Sequence, residues 1–256
     1  MDITNYLTEC VKTKTPVSFS KYGDGEYYCA IGHQGGNCDG DAYTNKKRNA
    51  IINSFKYMVD NAENAYIGLW HSESNRQFWE SFVSKQVKFA KYHSIIIDQS
   101  NDIEKVELYK AIRYSDMNKI IICNELLIKS QKLLNIDHCV IIPFNNWFDT
   151  QFVYYLEQVK NLMLNDERPP LVITCCGMNA KIMISELHKI NPNGIYLDFG
   201  SALDKICTKR ESRGFPHTYE YLIDLFKEII PDDWEDDKYN SIYEVANYKL
   251  GIHLPN

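Results

Sequence analysis

The residues best suited to chemistry lie in one short segment, where two glycines alternate with two carboxylates after an apolar run. It reads Lys21-Tyr-Gly23-Asp24-Gly25-Glu26. Open α/β sheets bind ligands at the carboxyl ends of their strands, and in an irregular turn Asp24 and Glu26 could converge on one hard divalent cation. Such a cation would neutralise charge on a leaving group. In the alternative interpretation the segment is a plain turn, and Glu26 starts a helix as a favourable first-turn acid.

A second candidate site follows the apolar run Leu171–Cys175 and includes Gly177, Asn179 and Lys181. A strand, a glycine and a helix start form an anion cradle, because the unpaired amides at a helix N-terminus point at the ligand. Lys181 could add a positive charge. The segment matches neither G-x-G-x-x-G nor a P-loop, so it predicts no dinucleotide or Walker-type site. The alternative is a plain turn with Lys181 in solvent.

A third cluster combines acidic, small and basic residues late in the chain: Asp198, Gly200, Ser201, Asp204, Arg213 and His217. Gly200 and Ser201 can approach a ligand closely, and Arg213 could pair with a phosphate in a bidentate manner. His217 could act as a general base. In the alternative interpretation the cluster is a charged surface loop, and His217 lies in the first turn of a final helix.

The elements that must position these residues are short apolar runs alternating with segments of helical period. The predicted strands are Val17–Lys21, Tyr66–Leu69, Ile95–Asp98, Lys119–Cys123, Cys139–Ile142, Leu171–Cys175 and Ile195–Asp198. The predicted helices include Lys47–Asp60, Trp147–Leu164 and Met178–Ile190. Strands separated by helices imply right-handed crossovers. We therefore expect a Rossmann-like α/β fold, with a mainly parallel sheet and helices on both faces.

Composition excludes several classes of protein. The 256 residues include 34 acidic and 28 basic side chains, with a net charge of -6 and no block of basic residues, which argues against nucleic-acid or membrane-surface binding. No apolar run approaches the ~18 residues of a membrane span, and the N-terminus lacks a signal-peptide pattern. We therefore expect a cytoplasmic protein without a transmembrane segment.

The chain is long enough to bury a core without covalent help. Its eight cysteines show no C-x-x-C pair, so buried reduced thiols are expected. We predict a single domain over residues 1–256, with a core at about 15–217 and a C-terminal helical extension at 218–256. The sequence leaves the oligomeric state open, a homodimer included.

Several motifs, in order, resemble the glycosyltransferases of the GT-D fold, formerly a domain of unknown function in bacterial adhesin glycosylation. The segment 22–27 looks like the family's aromatic-Gly-Asp-Gly-Glu-aromatic motif, whose D-x-E carboxylates bind the metal and the nucleotide-sugar. The later matches are Cys123-Asn-Glu125, Pro143-Phe-Asn-Asn-Trp147, Gly177 with Ala180 and Lys181, and Asp198-Phe-Gly200. Together these motifs span roughly residues 15–217, which counts for more than any single short match.

The resemblance implies transfer of a hexosyl or pentosyl group from a nucleotide-sugar, such as a UDP-sugar, to a glycan or glycoprotein acceptor. It assigns Mn2+ or Mg2+ to Asp24 and Glu26. The residues expected to bind the nucleotide-sugar are Lys21, Gly23, Gly25, Gly177, Asn179, Lys181, Gly200, Ser201 and Arg213. Ser201 replaces the His that better-known members tend to carry after the glycine. The catalytic base is therefore left open among Asp198, Asp204 and His217.

Two other functions fit parts of the pattern. A methyltransferase that uses S-adenosylmethionine is also Rossmann-like, but it expects an acid at the end of the second strand, where this chain has Leu69-Trp70-His71. A module that binds a nucleotide-sugar without catalysis is the other alternative, and it survives if the acceptor base is missing.

Overall fold

The architecture is a single seven-stranded sheet, seen in a computed structural model that describes residues 1–70, 73–209, 214 and 216–234. The strands are β1 Val17–Tyr22, β2 Ala65–Leu69, β3 Phe89–Lys91, β4 Asn118–Cys123, β5 His138–Ile141, β6 Pro170–Cys175 and β7 Ile195–Asp198. Every strand pair is parallel, and the spatial order is β3-β2-β1-β7-β6-β4-β5. The carboxyl ends of all seven strands therefore meet at one edge of the sheet.

Ten α-helices connect and cover these strands in the described residues. They are α1 Thr4–Thr13, α2 Asp24–Ile31, α3 Asn45–Asn61, α4 Glu73–Glu80, α5 Asp102–Tyr114, α6 Ser130–Leu134, α7 Phe148–Leu164, α8 Asn179–Ile190, α9 Asp204–Thr208 and α10 Tyr219–Leu225. A 3-10 turn at Glu125–Leu127 follows β4. Helices lie on both sheet faces, which confirms the predicted Rossmann-like α/β class.

Successive side chains of a strand point to opposite faces of the sheet, so the apolar core is divided between the two faces. Ile121 and Ile173 pack on one face with α1 and α5, whereas Ile120 and Val172 pack on the other with α7 and α8. Both faces are apolar because parallel sheets are covered by helices on both sides.

Six of the seven predicted strands are confirmed, and the strand predicted at Ile95–Asp98 is wrong. The third strand is β3, and the chain then turns, with Ser94 N–H donating to the Lys91 carbonyl and Ile96 N–H to His93. Asp98 N–H donates to the Asp102 carboxylate instead of to a neighbouring strand. The isoleucines from 95 to 97 are buried in a bent loop, so their apolar run reflects burial rather than a strand.

The segments at the two ends of the described chain pack against the sheet. Leu7 in α1 and Trp234 after α10 belong to the same apolar cluster as the sheet residue Ile121. The predicted domain limits extend to residue 256, beyond the described part, and stay a prediction. Within the described residues, no helix is both long enough and apolar enough to cross a bilayer.

Candidate active site

A cavity of about 460 Å³ opens at the carboxyl edge of the sheet. It is centred on β1, β7 and β6, where β1 has β2 on one side and β7 on the other. The sequence-predicted site residues that line it are Lys21, Asp24, Gly25, Glu26, Gly177, Lys181, Asp198, Gly200, Ser201 and Asp204. The structure thus brings residues from each of the three predicted clusters to one cavity, as the rule for ligand sites in open α/β sheets requires.

The Asp24 and Glu26 carboxylates differ in their environment because α2 starts at Asp24. Gly23 is the N-cap, and its N–H donates to Glu26 Oε2 at 2.7 Å, which satisfies one orphan donor of the helix start. Glu26 is buried, whereas Asp24 is exposed and accepts from Gly25 N–H at 2.9 Å. The alternative interpretation of this segment, a helix start with Glu26 as a first-turn acid, describes its local structure.

Lys181 lies at the centre of a buried charge network. Its Nζ is 2.6 Å from Glu26 Oε1 and 3.2 Å from Asp198 Oδ2, and it donates to the Gly177 carbonyl at 3.0 Å. Burial alone would lower the pKa of this ammonium, but the Asp198 and Glu26 carboxylates raise the pKa well above its ordinary value. Lys181 is therefore a fixed positive charge in the cavity, and the interpretation that placed it in solvent does not hold.

Lys21 supplies a second buried ammonium from the end of β1. Its Nζ donates to the Phe199 carbonyl at 2.6 Å, and its backbone N–H donates to Asp198 Oδ2 at 2.9 Å. Burial lowers the pKa of Lys21 to about 8, with Asp198 opposing the shift and Lys181 adding to it. Lys21 therefore titrates at mildly alkaline pH.

Asp198 holds the two lysines in place and still presents an unused oxygen. Its Oδ2 accepts from Lys21 N–H and meets Lys181, while its Oδ1 is buried without a hydrogen-bond partner in the described residues. The register of β7 against β6, which pairs Thr174 with Asp198, puts this carboxylate at the edge of the sheet. A buried carboxylate oxygen without a donor favours binding a hydroxyl or a water.

Two further carboxylates line the cavity, and sequence reasoning missed both. Asp39 and Asp41 lie in the loop between α2 and α3, and a Cβ on Gly177 would be 3.5 Å from Asp41 Oδ2 and 3.8 Å from Asp39 Oδ2. Asp41 is buried, pairs with Lys47 at 3.2 Å and accepts from Asn146 N–H at 2.9 Å. An anion at the start of α8 would have to share this space with two acids.

The charges at Asp24 and Glu26 do not form a ready cation site. In the part of the chain that the structure describes, no three His, Cys, Asp or Glu side chains converge so that they could hold a metal ion. Both oxygens of Glu26 are taken, one by Gly23 N–H and one by Lys181. A metal on Glu26 would first have to displace Lys181, so the two carboxylates could share an ion only after this pair opens.

Other predicted residues are not brought to the cavity wall. His217 Nε2 lies 2.8 Å from Asp102 Oδ2, and the imidazole stacks on Tyr221 beside a separate cavity of about 20 Å³. Asn179 is fully buried, with both polar side-chain atoms lacking a hydrogen-bond partner in the described ranges. Gly23 caps α2 without lining the cavity. Arg213 lies outside the described residues.

Three aromatic residues on the cavity wall were also missed: Trp70, Tyr92 and His93. Trp70 directly follows β2, and the other two follow β3. The signal that could have found Trp70 is its position, since it is the first residue after a predicted strand. Tyr92 and His93 were hidden by the wrong assignment of the third strand.

We expect Gly200→Ala to disturb Lys21. Gly200 has a positive φ of 53°, and an added Cβ would lie 2.6 Å from Lys21 Nζ. The left-handed backbone alone costs about 1–2 kcal/mol for a residue with a side chain, and the contact should also push the ammonium off the Phe199 carbonyl. Gly35→Ala is the matched control, because Gly35 has a φ of 101° with open space around it. Urea unfolding measures both variants, and equal losses would show that Lys21 is not displaced.

Comparisons with known proteins identify the fold. No family model matches the sequence, and no curated protein matches it. A structure described as a new glycosyltransferase (DUF1792) from Streptococcus sanguinis is 16% identical, covering 93% of this chain and 95% of its own, with a TM-score of 0.52. Two structures of domain of unknown function 1792 are 15% identical with a TM-score of 0.48, covering 93% of this chain and 91% of theirs.

The comparison defines the class of fold to which the chain belongs. The likeness to the Streptococcus sanguinis structure extends over almost the whole length of both chains. This chain has the fold of that glycosyltransferase. The resemblance drawn from the short motifs along the sequence is therefore confirmed at the level of the fold.

Proposed function

We propose that this chain is a glycosyltransferase that moves a sugar from a nucleotide-sugar, such as a UDP-sugar, to a hydroxyl of a glycan or glycoprotein acceptor. One observation carries the proposal: two buried ammonium groups, Lys21 and Lys181, line one cavity at the carboxyl edge of a sheet with a glycosyltransferase-type fold. Anionic ligands of acidic proteins need such local positive charge, and a nucleoside diphosphate is both the anion and the leaving group of this reaction.

The Lys181 ammonium is the group best placed to stabilise a leaving diphosphate. It is held by Glu26, Asp198 and the Gly177 carbonyl, so it need not reorganise when charge develops on the substrate. Preorganised charge of this kind is commonly the largest contribution to catalysis. Lys21 adds a second positive charge on the β1 side of Asp198.

Asp198 and Asp204 are the predicted bases that the cavity contains. A base must reach the acceptor proton. Asp198 lines the cavity, and its buried Oδ1 has no hydrogen-bond partner in the described residues. His217, the third candidate, lies beside the smaller cavity instead.

Dependence on Mn2+ or Mg2+ stays part of the proposal, with Asp24 and Glu26 as the ligands that the family resemblance assigns. When bound, such an ion would supply further positive charge to the diphosphate. The structure adds a condition to this assignment, because Glu26 could bind the ion only after releasing Lys181. The cytoplasmic location, the lack of nucleic-acid binding and a homodimer also stay predictions.

Thermal unfolding with candidate ligands tests the proposal against both alternatives. Stabilisation by UDP, with an increment when Mn2+ is present, supports the glycosyltransferase, because a ligand that binds only the folded state raises its stability. Stabilisation by S-adenosylhomocysteine without metal would favour the methyltransferase. The binding module would show stabilisation by UDP without release of UDP from any of a panel of UDP-sugars and acceptors.

Donor affinity should fall as pH rises through about 8, the pKa to which burial lowers Lys21. Above this pH the group is neutral in the folded protein and no longer attracts a diphosphate. Its effect on stability has the opposite sign: between pH 8 and the ordinary Lys pKa the unfolded chain binds the extra proton, so stability rises with pH. Titration of UDP at pH 7 and pH 9 measures the loss of affinity, and Lys21→Met should remove the difference. A difference that persists in Lys21→Met would assign it to another group.

A further inference from the structure

Asp41 is a buried carboxylate that turns one of its oxygens toward the cavity. The residue is only 2% exposed, yet it lines the cavity. Its Oδ1 accepts from Lys47 Nζ at 3.2 Å and from Asn146 N–H at 2.9 Å. Neither contact uses Oδ2, which would lie 3.5 Å from a Cβ on Gly177. A carboxylate oxygen placed in this way favours a donor from a ligand or a water.

The loop that carries Asp41 is fixed to the loop before α7. Asp41 N–H donates to Asn37 Oδ1 at 2.8 Å within the loop. The Asn146 side chain bridges the two loops, since its Oδ1 accepts from Ala42 N–H at 3.0 Å and its Nδ2 donates to the Gly40 carbonyl at 3.2 Å. The position of Asp41 Oδ2 is therefore set before any ligand binds, which lowers the entropy cost of binding.

Asp41 lies between the charged centre and the residues after β5. On one side it faces Gly177, whose carbonyl accepts from Lys181 Nζ at 3.0 Å. On the other side it accepts from the N–H of Asn146, two residues after the cavity residue Phe144. A ligand that runs from Lys181 toward Phe144 therefore passes the Asp41 carboxylate.

The cavity wall around Phe144 combines apolar side chains with a few polar groups. From the ends of β4 and β5 it includes Asn124, Leu126, Ile142 and Phe144. The short helix α9 packs against the 3-10 turn after β4 and adds Asp204 and Thr208. A mainly apolar wall with a few hydrogen-bonding groups suits a nucleobase. Asp204 is a second carboxylate in this part of the cavity, so any role given to Asp41 must be tested against it.

Charge decides which part of a nucleotide can lie next to Asp41. A Cβ on Gly177 would be 3.8 Å from Asp39 Oδ2 as well, so two carboxylates meet at this point. They would repel a phosphate, whereas a hydroxyl donates to a carboxylate in a short and strong hydrogen bond. The diphosphate is therefore expected at Lys181 and Lys21. The group beside Asp41 is then the ribose, which joins the diphosphate to the base and carries the 2′ and 3′ hydroxyls.

We propose that Asp41 is the ribose-binding residue of the donor site and that the cavity thereby selects nucleotides with a complete ribose. In this arrangement Asp41 Oδ2 accepts a hydrogen bond from a ribose hydroxyl. The inference rests on the proposed glycosyltransferase function and adds a specificity-determining residue to it. Carboxylates bind ribose hydroxyls in the dinucleotide sites of other open α/β sheets. Asp41 takes no part in breaking or forming bonds, so its effect is on donor binding.

Nucleotide analogues test the proposal on the unaltered protein. UDP, 2′-deoxy-UDP and 3′-deoxy-UDP are titrated by calorimetry in the presence of Mn2+. At least one deoxy analogue is expected to bind about 10- to 100-fold more weakly than UDP, because a hydrogen bond to a charged group is lost. A site built to bind a hydroxyl also rejects the analogue that lacks it, since its own polar group is left unpaired.

Two matched carboxylate variants show which acid is responsible. In Asp41→Asn, UDP and the weaker analogue should bind within about threefold of each other, because the charged acceptor is gone. Asp204→Asn should keep the full ratio between them. The ratio is the readout, since a general disturbance of the cavity would weaken both ligands together.

A third variant blocks the same oxygen without removing a charge. Asp41→Asn leaves the buried Lys47 without its partner, so its fold must be checked by thermal unfolding. Gly177→Ala keeps that pair and puts a methyl group 3.5 Å from Asp41 Oδ2. It should weaken UDP binding and reduce the ratio between UDP and the deoxy analogue. Gly35→Ala is the control for strain, because Gly35 also has a positive φ but has open space around it.

The outcomes separate this inference from the proposed function. Wild-type protein that binds no UDP would defeat the proposed function itself. Equal affinity for UDP and both deoxy analogues would overturn the role of Asp41 and leave the function standing. A ratio that Asp204→Asn removes and Asp41→Asn keeps would place the ribose at α9 and overturn it too. Weaker binding of UDP-glucose with unchanged binding of UDP in Asp41→Asn would place the transferred sugar beside Asp41, which also contradicts the proposal.

Discussion

Lys181→Met is expected to destabilise the fold by about 3–5 kcal/mol, because removing one partner of a buried ion pair leaves the other charge uncompensated. Here two carboxylates lose their cation at once: Glu26 at 2.6 Å and Asp198 at 3.2 Å. Methionine keeps much of the side-chain volume, so the change tests the charge and not the packing. Urea unfolding at pH 7 measures the loss, and the same variant should show no detectable UDP binding.

A control on the same helix separates this effect from the general loss of a lysine. Lys189 pairs with Glu186 in α8 at 2.6 Å, but that lysine side chain is 44% exposed. Lys189→Met should change stability by less than about 1 kcal/mol, because solvent screens such pairs. Similar effects of the two substitutions would contradict the buried network.

The network can also be tested for its internal coupling. If Lys181 and Glu26 stabilise each other, the double variant Lys181→Met with Glu26→Gln should be more stable than the sum of the two single changes predicts. Removing both charges leaves Asp198 without Lys181 but spares the protein an uncompensated Glu26. Additive losses would show that the two side chains do not interact in solution.

The sheet was largely predictable because its signal is local. Short β-branched runs such as Lys119–Cys123 are buried on both faces and can be recognised one at a time. The failure at Ile95–Asp98 shows the limit of that signal, since three buried isoleucines in a bent loop look the same as a strand. Burial and hydrogen-bond pattern are separate properties, and the apolar run reports only burial.

The sequence located several residues of the candidate site, but it did not predict which of them form ion pairs and hydrogen bonds with one another. Glycine and acid patterns after strands located Asp24, Glu26, Lys181 and Asp198, since parallel strands bring their carboxyl ends together. The pairing of Lys181 with Glu26 joins residues far apart in sequence and depends on where α8 begins above the sheet. Asp41 lies in the loop between α2 and α3 and accepts a hydrogen bond from the Asn146 N–H, just before α7. No local sequence pattern indicates this contact.

We expect both Asp24→Asn and Glu26→Gln to lose sugar transfer. The two variants should differ in their free energy of unfolding. Both should lower turnover at least about 100-fold if the two carboxylates hold a metal at the diphosphate. Glu26→Gln should also cost about 1–3 kcal/mol of stability, because it removes the charge that holds Lys181. Asp24 is exposed, so Asp24→Asn should stay close to the wild-type stability.

Metal titration distinguishes how each carboxylate acts. If both bind the cation, each variant loses the increment that Mn2+ adds to UDP binding and keeps the metal-free affinity. If Glu26 acts by holding Lys181, Glu26→Gln weakens UDP binding with or without Mn2+, and Asp24→Asn alone removes the increment. Glu157→Gln on α7 is the control for the loss of an exposed charge. Full turnover in Asp24→Asn or in Glu26→Gln would reject the metal assignment, and wild-type stability in Glu26→Gln would contradict the buried pair with Lys181.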